Sequence, residues 1–359
     1  MSTESGRLDL AELERPALEA ALEARGHQRF HAGQIFRWLY HRGVTDPAAM
    51  TDLSRDLRTG LANGFTLSTP EVVQRETSID GTEKFLLRLG DGRTIESVFI
   101  PDTPSMTFCI STQVGCAMAC SFCLTGKMGL VRNLTAGEIA GQVRVLADAL
   151  QMRGAAFNIV LMGMGEPLHN YDETMKALRI LTDAQGFAMP ARRITLSTVG
   201  LLPALERLAK EPVMPNLAIS LHAPTDLLRG ELVPINRKYG VGDIIAAAKR
   251  FPLKKRSRIT FEYVLLAGVN DSPQDARRLA KLLAGVKSKV NLIPLNAAAG
   301  IPFERPSDAA VDQFARIVAE HGLTVSVRKS RGRDIRAACG QLIVEGQKKS
   351  AGQQLAVIM

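Results

Sequence analysis

From Met106 onward, short apolar runs alternate with helical stretches. MTFCIST, FNIVLMG, RITLST, LAISLH, ITFEYVLL and VNLIPL are of strand length and are separated by segments with helical spacing, the order expected of parallel β/α units. One helix is well marked. Thr135 and Glu138 make a T-x-x-E capping box, and Ile139, Val143, Leu146 and Leu150 follow as an apolar stripe that packs on a sheet. Six such strands suit an open, partial (β/α)6 barrel. A doubly wound sheet accommodates them as well, because strand number does not decide closure. In either fold the loops at the carboxyl ends of the strands are expected to carry the chemistry.

The chain before Met106 reads differently. Residues 1–70 have helical character: Ile35, Phe36, Leu39 and Tyr40 share one face, with Arg37, His41 and Arg42 on another. Across 71–101 apolar and polar residues alternate, and Asp80-Gly81 and Asp91-Gly92 are hairpin turn signals. The expectation is an α/β protein in four parts: a helical module (1–70), a β meander (71–101), an α/β catalytic domain (102–345) and a tail (346–359).

Composition narrows the function classes. No run approaches the roughly 20 apolar residues of a membrane span, and MSTESGRLDLAELERP is too acidic and polar for a secretory signal. A cytoplasmic monomer without membrane contact is expected. The net charge of +9 points toward a polyanionic partner, although charge alone names none. The cysteines number five, an odd count, and three fall within eight positions. Metal or redox chemistry fits this better than a disulfide framework.

Cys116, Cys120 and Cys123 form C-x3-C-x2-C just after the MTFCIST run. Three thiolates from one loop can hold three irons of a cubane and leave the fourth iron without a protein ligand. The alternatives at this stage are a zinc site, which usually takes four protein ligands, and buried structural cysteines.

The longer string GCAMACSFCLTGKMGLVRNLTAGEI resembles the radical SAM (S-adenosylmethionine) superfamily, in particular its RNA adenine methyltransferases, which modify C2 or C8 of adenine. MGMGEPLHN, RRITLSTVG, AISLHAP, LVPINRKY, EYVLLAGVNDS, NLIPLN and DIRAACGQL match that branch in order, across roughly residues 27 to 345. The resemblance implies a radical SAM barrel, a 4Fe-4S cluster on Cys116, Cys120 and Cys123, and SAM chelated to the open iron. It also implies SAM contacts from Gly165, Glu166, Ser197, Ser220, Leu221, His222 and Asn296, with Gly163 and Gly165 letting backbone approach the cofactor and Glu166 accepting from the SAM ammonium.

The resemblance further implies that Cys339 takes a methyl group from one SAM and, after a second SAM is cleaved, passes the carbon to RNA. Cys109 takes the ring proton, and a Cys109–Cys339 disulfide releases the product. Glu96 matches the acidic residue the family offers as general base. Such a carrier is needed because C2 lies between two ring nitrogens and is electron-poor, so polar methylation there stalls. The basic run Arg328, Lys329, Arg331, Arg333 and Arg336 would favour a Cys339 thiolate.

Arg192-Arg193, Arg237-Lys238, Lys254-Lys255-Arg256-Arg258 and the run from Arg328 read together as an RNA footprint. Trp38 and Tyr40 are candidates for base stacking, although core packing is the usual fate of aromatics at helical spacing. Pro167, Val114 and Arg331-Gly332 resemble the C2 branch. The implied partners are 23S rRNA, tRNA at adenosine 37, and a one-electron reductant of flavodoxin-like or ferredoxin-like type. The competing readings are C8 methylation of the same nucleotide, or an iron-sulfur or zinc RNA-binding protein without turnover.

Overall fold

The computed structural model describes residues 7–101 and 105–344; the expected tail 346–359 lies outside them. The N-terminal part contains β1 (Leu8–Asp9), α1 (Arg15–Glu23), α2 (His31–Phe36), α3 (Arg55–Gly64) and β2 (Phe65–Thr66), with β1 and β2 paired in parallel. A π-helical turn, Arg37–Arg42, extends α2 and ends at Gly43, whose φ of +74° suits a residue without Cβ. Ile35, Phe36, Leu39 and Tyr40 are buried as the spacing predicts. Trp38 is buried too; its indole N–H donates to Asp52 and Arg42 lies 4.0 Å above its ring. Neither aromatic is placed to stack on a base.

The meander is β3 (Glu71–Thr77), β4 (Glu83–Arg88) and β5 (Thr94–Ile100), antiparallel and turning at Gly81 and Gly92, both at positive φ. It continues directly into the main sheet, since β5 pairs antiparallel with β6 (Thr107–Cys109). A short hairpin, β7 (Gln113–Gly115) with β8 (Leu130–Asn133), brackets the cysteine loop and α4 (Leu124–Met128). Then come α5 (Ala136–Ala149), β9 (Asn158–Leu161), α6 (Tyr171–Thr182), β10 (Ile194–Thr198), α7 (Leu202–Leu208), β11 (Asn216–Ser220), α8 (Asp226–Leu232), α9 (Val241–Arg250), β12 (Ile259–Leu265), α10 (Pro273–Leu282), β13 (Ser288–Pro294), α11 (Asp308–Glu320) and β14 (Thr324–Val327).

Among the described residues these strands form one ten-stranded sheet, ordered β14-β13-β12-β11-β10-β9-β6-β5-β4-β3. β6 and β9 to β14 are parallel neighbours. The sheet is open at β3 and β14, and the sequential strand order rules out the doubly wound alternative, which needs a reversal of order. Residues from β6, β9, β10, β11, β12, β13 and β14 line a single cavity, so the parallel part curves into a trough. The capping box at Thr135 and Glu138 is formed in both directions, and Ile139, Val143 and Leu146 are buried, with Leu150 half-buried at the helix end.

Two expectations about strands needed correction. MTFCIST contributes only Thr107–Cys109 to the sheet. A seventh parallel strand, β14, lies on the edge where its side chains are mostly exposed.

Candidate active site

The cysteine loop leaves β7 and returns through α4 to β8. Cys116, Cys120 and Cys123 line a pocket at the carboxyl ends of the parallel strands, together with Gly165, Glu166, Ser197, Ser220, His222, Asn296 and Cys339. Burial pushes the three thiols up, Cys116 to about 12, and repulsion adds to it, from within the trio for Cys116 and Cys120 and from Cys339 for Cys123. A cationic centre among them would reverse that balance. Among the described residues no three His, Cys, Asp or Glu groups converge as the ligands of a single metal ion.

The loop after β9 carries Gly163, Gly165 and Glu166. A Cβ on Gly163 would stand 2.7 Å from the Ile110 carbonyl oxygen, and one on Gly165 2.7 Å from Gln113 Cβ. Gly165 also sits at φ +105°. The two glycines thus allow the neighbouring protein segment to approach closely, and both also line the pocket. Glu166 is buried; burial pushes its carboxyl up to about 7 although it accepts from Val199 N at 2.9 Å and Leu168 N at 3.0 Å. A buried carboxylate in a pocket wall suits a ligand ammonium.

His222 adopts φ +62°, and its Nδ1 accepts from the Val264 amide at 3.0 Å. That bond assigns the ring proton to Nε2. Burial, aided by Arg229, lowers its pKa to about 3, so the ring is neutral. Ser197 and Ser220 place their hydroxyls 3.5 Å apart. Asn296 spends its Nδ2 on the Cys339 carbonyl at 3.4 Å, while its buried Oδ1 has no partner among the described residues. An acceptor without a partner in a pocket wall fits a ligand that brings a donor.

Leu221 is fully buried and does not line the pocket. Its N–H donates to the Glu262 carbonyl and its carbonyl accepts from Arg229 Nε. Arg229, which sequence reasoning passed over, is the residue underneath. Fully buried, it donates to the carbonyls of Leu221 (2.9 Å), Val199 (2.7 Å) and Ser220 (3.0 Å) and to Asn236 Oδ1 (2.9 Å). It thereby ties together the carboxyl ends of β10 and β11.

A second cavity, of about 600 Å³, reaches toward the amino ends of the strands at Thr107, Asn158, Asn216 and Thr260. The two cavities share Met162, Glu262, Ile293, Asn296, Arg328 and Cys339 in their walls. Cys339 thus stands where they meet. Arg328 lies beside it, and the charge on Cys339 holds the guanidinium more firmly protonated. Cys109 is buried on the same side, its thiol pushed up to about 12 by burial and then by Cys339, with Arg328 opposing. All five cysteines are free thiols, so no Cys109–Cys339 disulfide is present.

The segment bearing Cys339 lacks regular structure and is pinned from several sides. Asp334 accepts from the Ser78 hydroxyl (2.5 Å) and Ile79 N (3.2 Å), and Asp80 accepts from Gly332 N (2.9 Å). Leu124 N donates to the Gly340 carbonyl and Thr125 Oγ1 to that of Leu342. Glu96 lines neither cavity. Its carboxylate accepts from Ile343 N at 2.8 Å and pairs with Lys84 at 3.2 Å, and burial raises its pKa.

Comparison with known proteins fits this geometry. Residues 110–280 match the Radical SAM superfamily, and residues 8–67 match the ribosomal RNA large subunit methyltransferase N-terminal domain. The dual-specificity RNA methyltransferase RlmN of Syntrophotalea carbinolica is 51% identical over 94% of this chain and 90% of its own length. That of Geobacter sulfurreducens is 49% identical over 98% and 97%. The chain belongs to the RlmN family. A radical SAM methyltransferase from Sphaerobacter thermophilus has the same fold, with a TM-score of 0.88 and 48% identity over 93% of this chain and 99% of that one. As an RlmN-family protein the chain is a radical SAM RNA methyltransferase that uses a 4Fe-4S cluster and SAM. No described helix is long and apolar enough to cross a membrane.

Proposed function

We propose that the chain methylates C2 of adenosine in the peptidyl-transferase centre of 23S rRNA and at position 37 of some tRNAs, with Cys339 as the methyl carrier. The observation that supports this is the place of Cys339 on the wall common to two cavities, one holding the C-x3-C-x2-C thiols and one basic. Cys116, Cys120 and Cys123 are assigned to the cluster. Glu166, Ser197, Ser220, His222 and Asn296 are assigned to SAM, with Gly165 shaping the loop. The cluster and SAM, when bound, supply the methyl group and the one-electron chemistry.

The protein's own contribution is to place and charge two sulfurs. Arg328 is the countercharge for the Cys339 thiolate that methyl transfer requires. Methylation would remove the charge on Cys339, leaving Arg328 to be shared between Glu262 and Cys109. As a thiolate, Cys109 would take the C2 proton of the adenine ring; once that proton is passed on, its sulfur would bond to the Cys339 sulfur as the bond from Cys339 to the transferred carbon breaks, that carbon taking up a proton to become the methyl group and the surplus electron of the radical adduct returning to the one-electron centre. Glu96 enters through the carrier segment: acting as a base requires it to give up the Ile343 amide.

The remaining assignments are RNA holding by residues 1–70, division of the chain near 70, 101 and 345, action as a cytoplasmic monomer, and electron supply from a flavodoxin-like or ferredoxin-like donor. The test is to reconstitute the enzyme anaerobically, add SAM without RNA, and examine its peptides by mass spectrometry. A methyl group on Cys339 is expected; a loaded enzyme that leaves Cys339 unmodified overturns the carrier role.

A further inference from the structure

Barrels of β/α units commonly fill their interior with layers of branched apolar side chains. Here the trough is open over about 600 Å³, and among apolar lining its wall carries Arg192, Arg193, Lys289, Lys329 and Arg331 besides Arg328, against the single acid Glu262. Arg192 and Arg193 form the turn that leads into β10, and Lys289 is the second residue of β13. All three stand at the amino ends of the strands, opposite the cysteine loop. Lys329 and Arg331 approach from the segment that bears Cys339.

These cations have little to do within the chain. Among the described residues none of the five makes an ion pair. Arg193 makes one long bond of 3.4 Å to the Phe157 carbonyl, and Arg331 Nε is buried with no partner. A guanidinium nitrogen left without an acceptor inside a cavity is costly unless a ligand satisfies it. Several like charges around one mouth also repel one another until an anion arrives.

We infer that Arg192, Arg193, Lys289 and Arg331 form a phosphate cradle that holds the RNA backbone on either side of the target adenosine, so that the base reaches Cys339 from the amino ends of the strands. This rests on the RNA methyltransferase reading and adds the direction of approach and the groups that grip. Cofactor and substrate then meet Cys339 from opposite ends of the parallel strands, and the flipped base needs no passage past the cluster.

The test compares the full-length, cluster-loaded enzyme with its R192A/R193A and K289A/R331A forms. The probes are a stem-loop RNA containing the target adenosine and the same stem-loop with an abasic site at that position. Each lost phosphate contact should reduce the salt slope by about 0.7. Each double variant should therefore lose about sevenfold less affinity than the parent between 50 and 200 mM salt, and bind more weakly at the lower salt. The effect should be the same for the abasic RNA, because phosphates are gripped and not the base. Unchanged affinity and slope in both variants would overturn the cradle. So would a loss confined to the RNA that carries the base, which would make these residues base readers. RNA-independent methylation of Cys339 in the unaltered enzyme separates the two claims: its absence sinks the carrier role of Cys339, whereas its presence beside an unchanged slope sinks only the cradle.

Discussion

Replacing Arg229 with alanine removes the one side chain that holds three strand-end carbonyls and Asn236 at the floor of the cofactor pocket. The arginine is fully buried, so water cannot simply take its place at these four acceptors. Hydrogen bonds to a charged group are worth about 1.5–3 kcal/mol each, but removal also relieves the cost of burying the charge, which is already large enough to bring the guanidinium down to about 10. Leaving these four buried acceptors without a donor costs about 1–3 kcal/mol each, and with the relieved charge burial set against it a net loss of about 3–5 kcal/mol is expected. With the usual unfolding entropy per residue, that corresponds to a fall in melting temperature of about 4–7 °C for a chain of this length. Arg229→Lys keeps the charge but cannot span four acceptors, and should recover less than half of the loss. Differential scanning calorimetry of the cluster-loaded forms, alongside SAM binding by calorimetric titration, measures both effects. If Arg229→Ala melts with the parent and binds SAM equally well, the proposed floor of the pocket is wrong.

Gly165→Ala should lower stability by about 1–3 kcal/mol in urea unfolding, because the new Cβ meets Gln113 Cβ and its backbone nitrogen at a left-handed φ; a Gln113→Ala background keeps both atoms and should not restore it. Asp80 and Asp334 are both held below the usual carboxylate range: partial burial of Asp80 is outweighed by bonds from Thr82 and the Gly332 amide, and Asp334 is held mainly by the Ser78 hydroxyl. With folded-state values depressed, their contribution is present above the ordinary pKa of about 3.9 and is lost as pH falls through the folded value. The D80N/D334N form should therefore show a shallower acid limb than the parent in melting curves from pH 6 to pH 3, and parallel limbs would contradict the clasp. Asn296→Ala should weaken SAM binding about tenfold in calorimetric titration by removing an acceptor that is otherwise without a partner.

Much of the fold is legible in the sequence because its elements are built on strong local signals. The T-x-x-E box at Thr135 and the Asp-Gly turns at Gly81 and Gly92 each depend on a few adjacent residues, and the structure forms all of them. β14 escapes because an exposed edge strand such as TVSV needs no apolar alternation. Arg229 escapes for a related reason: an arginine in DLLRGEL reads as a solvated helix face, and only the arrival of the β10 and β11 carbonyls makes it a buried support. Leu221 and the two glycines show the converse limit. A motif places them near the cofactor, and the glycines do line the pocket, but the packing against Arg229, Glu262, Ile110 and Gln113 that fixes all three is not visible in their spacing. The large basic trough had no local signal, since it is lined by one to three residues from each of seven strands.

The central claim is that Cys339 carries the methyl group to C2 of an RNA adenosine. It is tested most directly by incubating reconstituted enzyme and its Cys339→Ala form with SAM, a reductant and 23S rRNA or tRNA, then digesting the RNA and identifying the methylated nucleoside by mass spectrometry. The account predicts 2-methyladenosine from the parent and none from the variant. Recovery of 8-methyladenosine, or methylation that persists without Cys339, would contradict it.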